Sequence, residues 1–179
     1  MNPTIDTVTL GGGCFWCVEA VFERVRGVTA VESGYCNGAV LNPTYEQVCG
    51  GDTGHAEVVR VSFDSAQITL REVLEIFFVV HDPTTLNRQG NDAGTQYRSG
   101  IYFTSPAQQA VAREVLAEVN AHHQGRAVTE LLAEANYTRA ESYHQHYFAN
   151  HPSQGYCAMV VAPKVEKFKK TFANRVLPA

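Results

Sequence analysis

The chain has 179 residues, 45% of them hydrophobic and 18% charged, with 14 Lys and Arg against 18 Asp and Glu for a formal charge of −4. That balance suits one compact catalytic domain over residues 1–179. It excludes the dense positive field that phosphate backbones require, and no stretch reaches the roughly 18 apolar residues of a membrane span. Five cysteines, at 14, 17, 36, 49 and 157, make an odd number in a chain whose start lacks a basic then apolar leader. A static disulfide framework is therefore not expected, and a cytoplasmic monomer with reduced thiols is.

Residues 7–10 are β-prone and run straight into Gly11, Gly12 and Gly13. Val18, Val21, Phe22 and Val25 then recur at helical spacing, which predicts strand, tight turn, helix, with Gly27 as the helix C-cap and a second strand over 28–33. Residues 34–54, rich in Gly, Asn, Pro and Thr, read as a long loop. From 57 to 63 the residues alternate, with Glu57, Val59, Val61 and Phe63 on one face and Arg60 and Ser62 on the other, so a carboxylate shares the apolar side of a strand. Thr69 and Glu72 form a candidate capping box for a buried helix carrying Leu70, Val73, Leu74, Phe77 and Val80.

Residues 81–100 hold almost no apolar side chains and exceed an ordinary connection in length, which marks a second candidate site loop. A strand is expected at 101–104, then a helix that Ser105 and Pro106 start and Gly125 ends, another helix over 138–150, and a last one from about Lys164 with Val165, Phe168 and Phe172 on its stripe. There is no repeat and no Pro- or Ser-rich linker. Strands interspersed with helices imply a sheet with helices packed on it.

The chemistry centres on Cys14, placed where the glycine turn meets a helix start. Unpaired N–H groups and the helix dipole favour an anion there, so a lowered thiol pKa and a nucleophilic thiolate are expected. The plain alternative is a small buried cysteine that only packs. Phe15 and Trp16 follow directly and would form an apolar pocket for an alkyl or thioether group, unless one or both are core residues. Cys17, one helical turn on, can pair with Cys14 as in helix-start Cys-x-x-Cys redox motifs. Glu57 on the buried parity of its strand should have its pKa raised by desolvation, which is how a general acid near neutrality is made; a strand-end glutamate in water is the alternative. No metal site is expected: Cys36 and Cys49 are isolated, His144 and His146 lack finger spacing, and the histidines read as ordinary polar or capping residues.

Gly-Gly-Gly-Cys-Phe-Trp at 11–16, Gly34-Tyr35, Thr53-Gly54-His55-Ala56-Glu57, His81-Asp82-Pro83-Thr84, Asn87-Arg88-Gln89-Gly90 and Gln96-Tyr97-Arg98-Ser99 follow in this order, and Tyr143-His144-Gln145 and Gly155-Tyr156-Cys157 extend the series. In these residues, over roughly 7–170, the chain closely resembles the peptide methionine-(S)-sulfoxide reductases of the A type. The resemblance implies that Cys14 attacks the sulfoxide sulfur, Phe15 and Trp16 hold the ε-methyl group, and Glu57 protonates the oxygen. It also implies that Tyr45 and Tyr97 direct their phenols at that oxygen while Asp92 supports the site through hydrogen bonds. A sulfenic acid on Cys14 would condense with a second thiol to an intramolecular disulfide that thioredoxin reduces, with no bound cofactor.

Two features depart from the common pattern, since position 17 more often holds glycine and Cys36-Asn37 stand where alanine and glycine are usual. They leave the second thiol open: the resemblance implies Cys157, in its Gly-Tyr-Cys context and a C-terminal region expected to be less regular, with Cys17 as its rival; Cys36 and Cys49 read as bystanders. The expected fold is α+β, a two-layer α/β sandwich with a ferredoxin-like core, a mixed sheet, packed helices and long loops. The competing reading is a general thiol–disulfide oxidoreductase built on Cys14 and Cys17. Lys164, Lys167, Lys169 and Lys170 read as a solvated helix face.

Overall fold

The computed structural model describes residues 4–177. Four strands and two helices alternate as β1 (Ile5–Gly12), α1 (Phe15–Phe22), β2 (Val28–Cys36), β3 (Ala56–Asp64), α3 (Leu70–Val80) and β6 (Ser99–Phe103). Between β2 and β3 lies α2 (Tyr45–Cys49), and between α3 and β6 a two-residue hairpin, β4 (Arg88–Gln89) with β5 (Asp92–Ala93). After β6 come α4 (Pro106–His122), β7 (Glu130–Ala133), β8 (Thr138–Arg139), α5 (Tyr147–Asn150) and α6 (Ala162–Thr171). The main sheet runs β7-β6-β1-β3-β2-β8. Its central order, β6-β1-β3-β2, is antiparallel throughout and is that of a βαββαβ ferredoxin-like core. A parallel β7 on one edge makes the sheet mixed, and an antiparallel β8 closes the other.

The alternation of β3 decides which side is the core. Val59, Val61 and Phe63 pack into the larger apolar cluster with Val18, Val21 and Phe22 of α1, Leu74 and Phe77 of α3, and Phe168 of α6. Ala56 and Val58, of opposite parity, join Cys36 and Tyr102 in a small cluster on the other face, where the Arg60 guanidinium lies 3.6 Å from the Tyr137 ring centre. Each fully buried Phe contributes roughly 1.5–3 kcal/mol, so the helical face carries most of the stability. No helix among the described residues is long and apolar enough to cross a membrane.

Several boundaries differ from the sequence reading. The region 34–54 is not all loop: Thr44 and Gln47 form a reciprocal capping box, Gln47 N–H to Thr44 Oγ1 at 3.2 Å and Thr44 N–H to Gln47 Oε1 at 2.8 Å, which starts α2. At α3 only half a box exists, because Thr69 Oγ1 accepts from Glu72 N–H at 3.2 Å while the Glu72 carboxylate pairs with Arg175. Helix α1 stops at Phe22, short of Gly27; Val25 instead bridges to Val176, and Gly27, at φ +95°, turns the chain into β2. Helix α4 ends at His122. No helix spans 138–150. Gln145 is the reason: its side chain accepts from Ser33 N–H at 2.9 Å and donates to Ser33 O at 2.8 Å and Ala140 O at 3.0 Å, so it extends the sheet edge with side-chain hydrogen bonds. The segment becomes β8, a 3-10 turn at Ser142–His144 and the short α5, entered through His146 in the left-handed region at φ +55°.

Candidate active site

The glycine turn is shaped by what packs over it. Gly13 adopts φ +91°, and a Cβ there would lie 2.7 Å from Cβ and Cγ of Gln89; one on Gly12 would lie 3.0 Å from the Phe77 ring. Gln89 is buried, accepts from Asp82 N–H at 2.9 Å and donates back to Asp82 O, which ties the 82–92 loop to the turn. Cys14 is delivered to the N-cap of α1, half-buried, with its carbonyl accepting from Cys17 N–H at 3.1 Å.

Glu57 enters from β3 directly beneath. It is 1% exposed, its Oε1 accepts from Phe15 N–H at 3.2 Å, and its Oε2 is buried with no partner among the described residues. Burial, which outweighs the Phe15 N–H, pushes its pKa up to about 8, with Asp92 and Cys17 adding to the rise. The carboxyl is thus protonated at neutral pH. The Trp16 N–H does favour a Cys14 thiolate, as a helix start should, but it is outweighed: burial first, then the Cys17 thiol and the Glu57 charge, hold Cys14 well above the ordinary thiol range. The easier ionisation falls on Cys17, lowered to about 7 by its hydrogen bond with Cys14 and, against burial, by Lys164 and the Tyr156 hydroxyl. The two sulfurs therefore work as one dithiol whose first proton leaves near neutrality.

The two tyrosines come from the expected loops. Tyr45, the first residue of α2, donates its N–H to Glu141 Oε2 at 3.0 Å and places its ring 4.4 Å from that of His144. Tyr97 closes a 3-10 turn at Thr95–Tyr97. Burial raises both phenols, reinforced by a bond to Cys49 at Tyr45 and by the charges of Glu57 and Cys14 at Tyr97, so both remain neutral donors. Asp92, at the base of the hairpin, accepts from the Tyr156 hydroxyl at 2.6 Å, and that hydroxyl lies 3.7 Å from the Cys17 sulfur.

Phe15 is 1% exposed and packs between Tyr35 and His144, at 5.7 and 5.1 Å between ring centres; it is a core residue underlying the site. Trp16 is half-buried and held on three sides. Its indole N–H donates to His144 Nδ1 at 3.1 Å, one face stacks on Tyr147 at 3.8 Å and 4°, and Tyr156 meets it edge-on at 5.8 Å. Its other face carries no stacked ring among the described residues. The sequence reading quoted His144 and Tyr156 as members of the Tyr143-His144-Gln145 and Gly155-Tyr156-Cys157 motifs, with no site role, and did not single out Tyr147. His144 is no surface residue but 1% exposed, and the available signal was that a partly buried indole N–H demands an acceptor.

Cys157 lies in the core cluster that also holds Cys17, with Cys14 packed against it. It is fully buried at the start of a π-helical turn, Cys157–Val161, in an ordered helical segment, contrary to the less regular region expected, and the Cys17 charge acts on it. Cys36 is buried on the opposite sheet face and Cys49 is exposed at the end of α2. Behind Tyr156 and Asp92 a cleft of about 1040 Å³ opens between α3, α4 and α6, with Lys164 and Lys167 on its rim. Glu19, Glu23 and His146 bring three donor atoms within 4.8 Å of one another, but both Glu19 oxygens already accept, from Ser33 Oγ and Tyr147 N–H.

An α+β domain that sets a dithiol at a helix start over a buried, protonated carboxyl defines the class: a cysteine-dependent oxidoreductase with its own proton donor. The sequence model of the family described as peptide methionine sulfoxide reductase matches residues 6–176. A peptide methionine sulfoxide reductase MsrA of Polynucleobacter asymbioticus is 52% identical over 98% of this chain and 94% of its own length. The reduced form of Mxr1 from Saccharomyces cerevisiae superposes with a TM-score of 0.79 at 36% identity, covering 86% of this chain and 89% of that one. A structure of Mxr1 in complex with Trx2 shares the fold at a TM-score of 0.56 and 24% identity, covering 82% and 89%. The chain belongs to the peptide methionine sulfoxide reductase family, and its reaction is the reduction of methionine sulfoxide.

Proposed function

We propose that this enzyme takes the S epimer of methionine sulfoxide, in oxidised proteins and as the free amino acid, and returns methionine as a repair reaction in the cytoplasm. The observation that carries the reading is the protonated Glu57 carboxyl, buried one hydrogen bond from the residue after Cys14. The Cys14 thiolate, formed as the dithiol shifts its remaining proton to Cys17, attacks the sulfoxide sulfur. Glu57, Tyr45 and Tyr97 supply hydrogen bonds and a proton to the oxygen as the S–O bond breaks. Net, the oxygen passes to Cys14: the methionine sulfur is reduced by two electrons and Cys14 is oxidised by two, to the sulfenic acid. Asp92 supports this arrangement through Tyr156, and the free face of Trp16, over Phe15, receives the methyl group.

The sulfenic acid then condenses with a thiol to give a disulfide and water. Cys17 is the nearer partner and the better thiolate, so it condenses first, and exchange with the buried Cys157 then moves the disulfide to Cys17–Cys157 and returns Cys14 as a thiol. An external dithiol of the thioredoxin type takes it from there, as the Trx2 complex of Mxr1 suggests; no bound cofactor takes part. A plain disulfide exchanger built on Cys14 and Cys17 needs no buried acid, and this separates the two readings. The test is single turnover on separated epimers with Glu57→Gln protein. Sulfoxide reduction is expected to fall by about 10²–10⁴ while exchange with a small disulfide persists. Unchanged reduction of the S epimer would refute the assignment.

A further inference from the structure

We propose that His144 is a positioning residue for the substrate pocket, acting through Trp16 as a neutral imidazole, and that its protonation in acid releases the indole and weakens sulfoxide binding. This rests on the reading above in which Trp16 receives the methyl group. The geometry is specific. Trp16 Nε1 carries a hydrogen and can only donate, so His144 Nδ1, 3.1 Å away, must be the acceptor and the imidazole proton must sit on Nε2. An imidazolium would carry hydrogens on both nitrogens and set one N–H against another, which removes the bond.

Among the described residues no further hydrogen bond holds the imidazole. Its Nε2 is buried and has no partner, and the ring is 1% exposed, wedged among Phe15 at 5.1 Å, Tyr45 at 4.4 Å and Tyr143 at 4.2 Å between ring centres. The charged groups facing it are Glu46 from α2 and Glu141 from its own turn, with Trp16 and Phe15 from α1 and the phenols of Tyr45 and Tyr143 completing the shell. Both carboxylates favour the imidazolium, but burial outweighs them and lowers the pKa below the ordinary histidine value, so the acceptor state prevails at neutral pH. With Tyr147 stacked on one indole face and Tyr156 at its edge, loss of the Nε1–H bond removes the one hydrogen bond that fixes the ring, and the ligand face loses its fixed orientation.

The chain provides its own probe, because Trp16 is the sole tryptophan. In Cys14→Ser protein, which separates binding from turnover, the emission of Trp16 is expected to titrate with a midpoint on the acid side of a free histidine. The affinity for methionine (S)-sulfoxide should fall roughly tenfold through the same midpoint, the usual worth of one buried hydrogen bond. Adding His144→Asn, which keeps an acceptor near the Nδ1 position and cannot titrate, should restore the neutral-pH affinity and abolish both pH effects. His151, whose ring lies 4.6 Å from that of Tyr147, is the control: His151→Asn should leave the titration in place. Emission flat from pH 4 to 8, or a titration that survives His144→Asn, would overturn the proposal. Binding that ignores pH would overturn the positioning role alone, whereas no binding at any pH would overturn it together with the functional reading.

Discussion

Replacing Glu57 by glutamine should make the enzyme less active and more stable, and the size of the gain follows from the site. The folded carboxyl titrates near 8, against the 4.5 of a glutamate in an unfolded chain. A raised folded pKa means that the native state binds its proton more tightly. Stability from this group is therefore fully present below about 4.5 and is lost as pH rises toward 8. At about 1.36 kcal/mol per pH unit, the native enzyme has forfeited ~3 kcal/mol at pH 7 and levels off near ~5 kcal/mol above pH 8. Glutamine keeps an acceptor for Phe15 N–H and never ionises. It leaves one polar group unpartnered, as the protonated acid does at Oε2, so this cost cancels. Urea unfolding of both proteins at pH 4.5, 6, 7 and 8 should give near-equal stability at the lowest pH and a gap that widens to ~3 kcal/mol at pH 7, or roughly 6–12 °C in Tm for a chain of this size. Glu19 and His81, also shifted by burial, titrate in both proteins and drop out of the difference. A gap that stays constant with pH would refute the buried-acid argument.

The single-turnover rate should be bell-shaped, rising as the dithiol ionises near 7 and falling as Glu57 loses its proton near 8; Glu57→Gln should remove the alkaline limb from whatever activity remains. Peptide mapping after one turnover without reductant is expected to show Cys14–Cys17 in Cys157→Ser protein, whereas Cys17→Ser protein should accumulate the sulfenic acid, measurable by dimedone trapping; rapid Cys14–Cys157 formation there would overturn the order of exchange. Gly13→Ala forces a Cβ to within 2.7 Å of Gln89 at positive φ, so it should cost about 1–3 kcal/mol in thermal unfolding and depress turnover by displacing Cys14.

How much of this was written in the sequence depends on whether local pattern or tertiary contact decides each element. The parity of β3 was legible because its outward positions, Arg60 and Ser62, are polar while Val59, Val61 and Phe63 are not, and that alternation carries Glu57 inward. Strand, glycine turn and helix around Cys14 were legible for the same reason. The 138–150 segment was not: its aromatic and polar residues fit a helix locally, but the bonds of Gln145 to Ser33, 112 residues away, outweigh that preference. Helix α2 was hidden by its length, five residues being too few to show a period, although Thr44 and Gln47 mark its start.

The ionisation of the dithiol was misjudged for a related reason. Position at a helix start is visible in sequence, but that burial, with the Cys17 thiol and a carboxyl from β3, outweighs the helix N–H is not. The surroundings of Trp16 likewise come from residues 144, 147 and 156, which only the fold brings beside it.

In the proposed mechanism the Cys14 sulfur itself takes the oxygen. Mixing reduced protein with methionine (S)-sulfoxide in the absence of any external reductant and counting methionine tests it directly. The native chain should yield an immediate burst of about one methionine per molecule, and Cys14→Ser protein none. A burst of normal size and rate from Cys14→Ser would contradict the account.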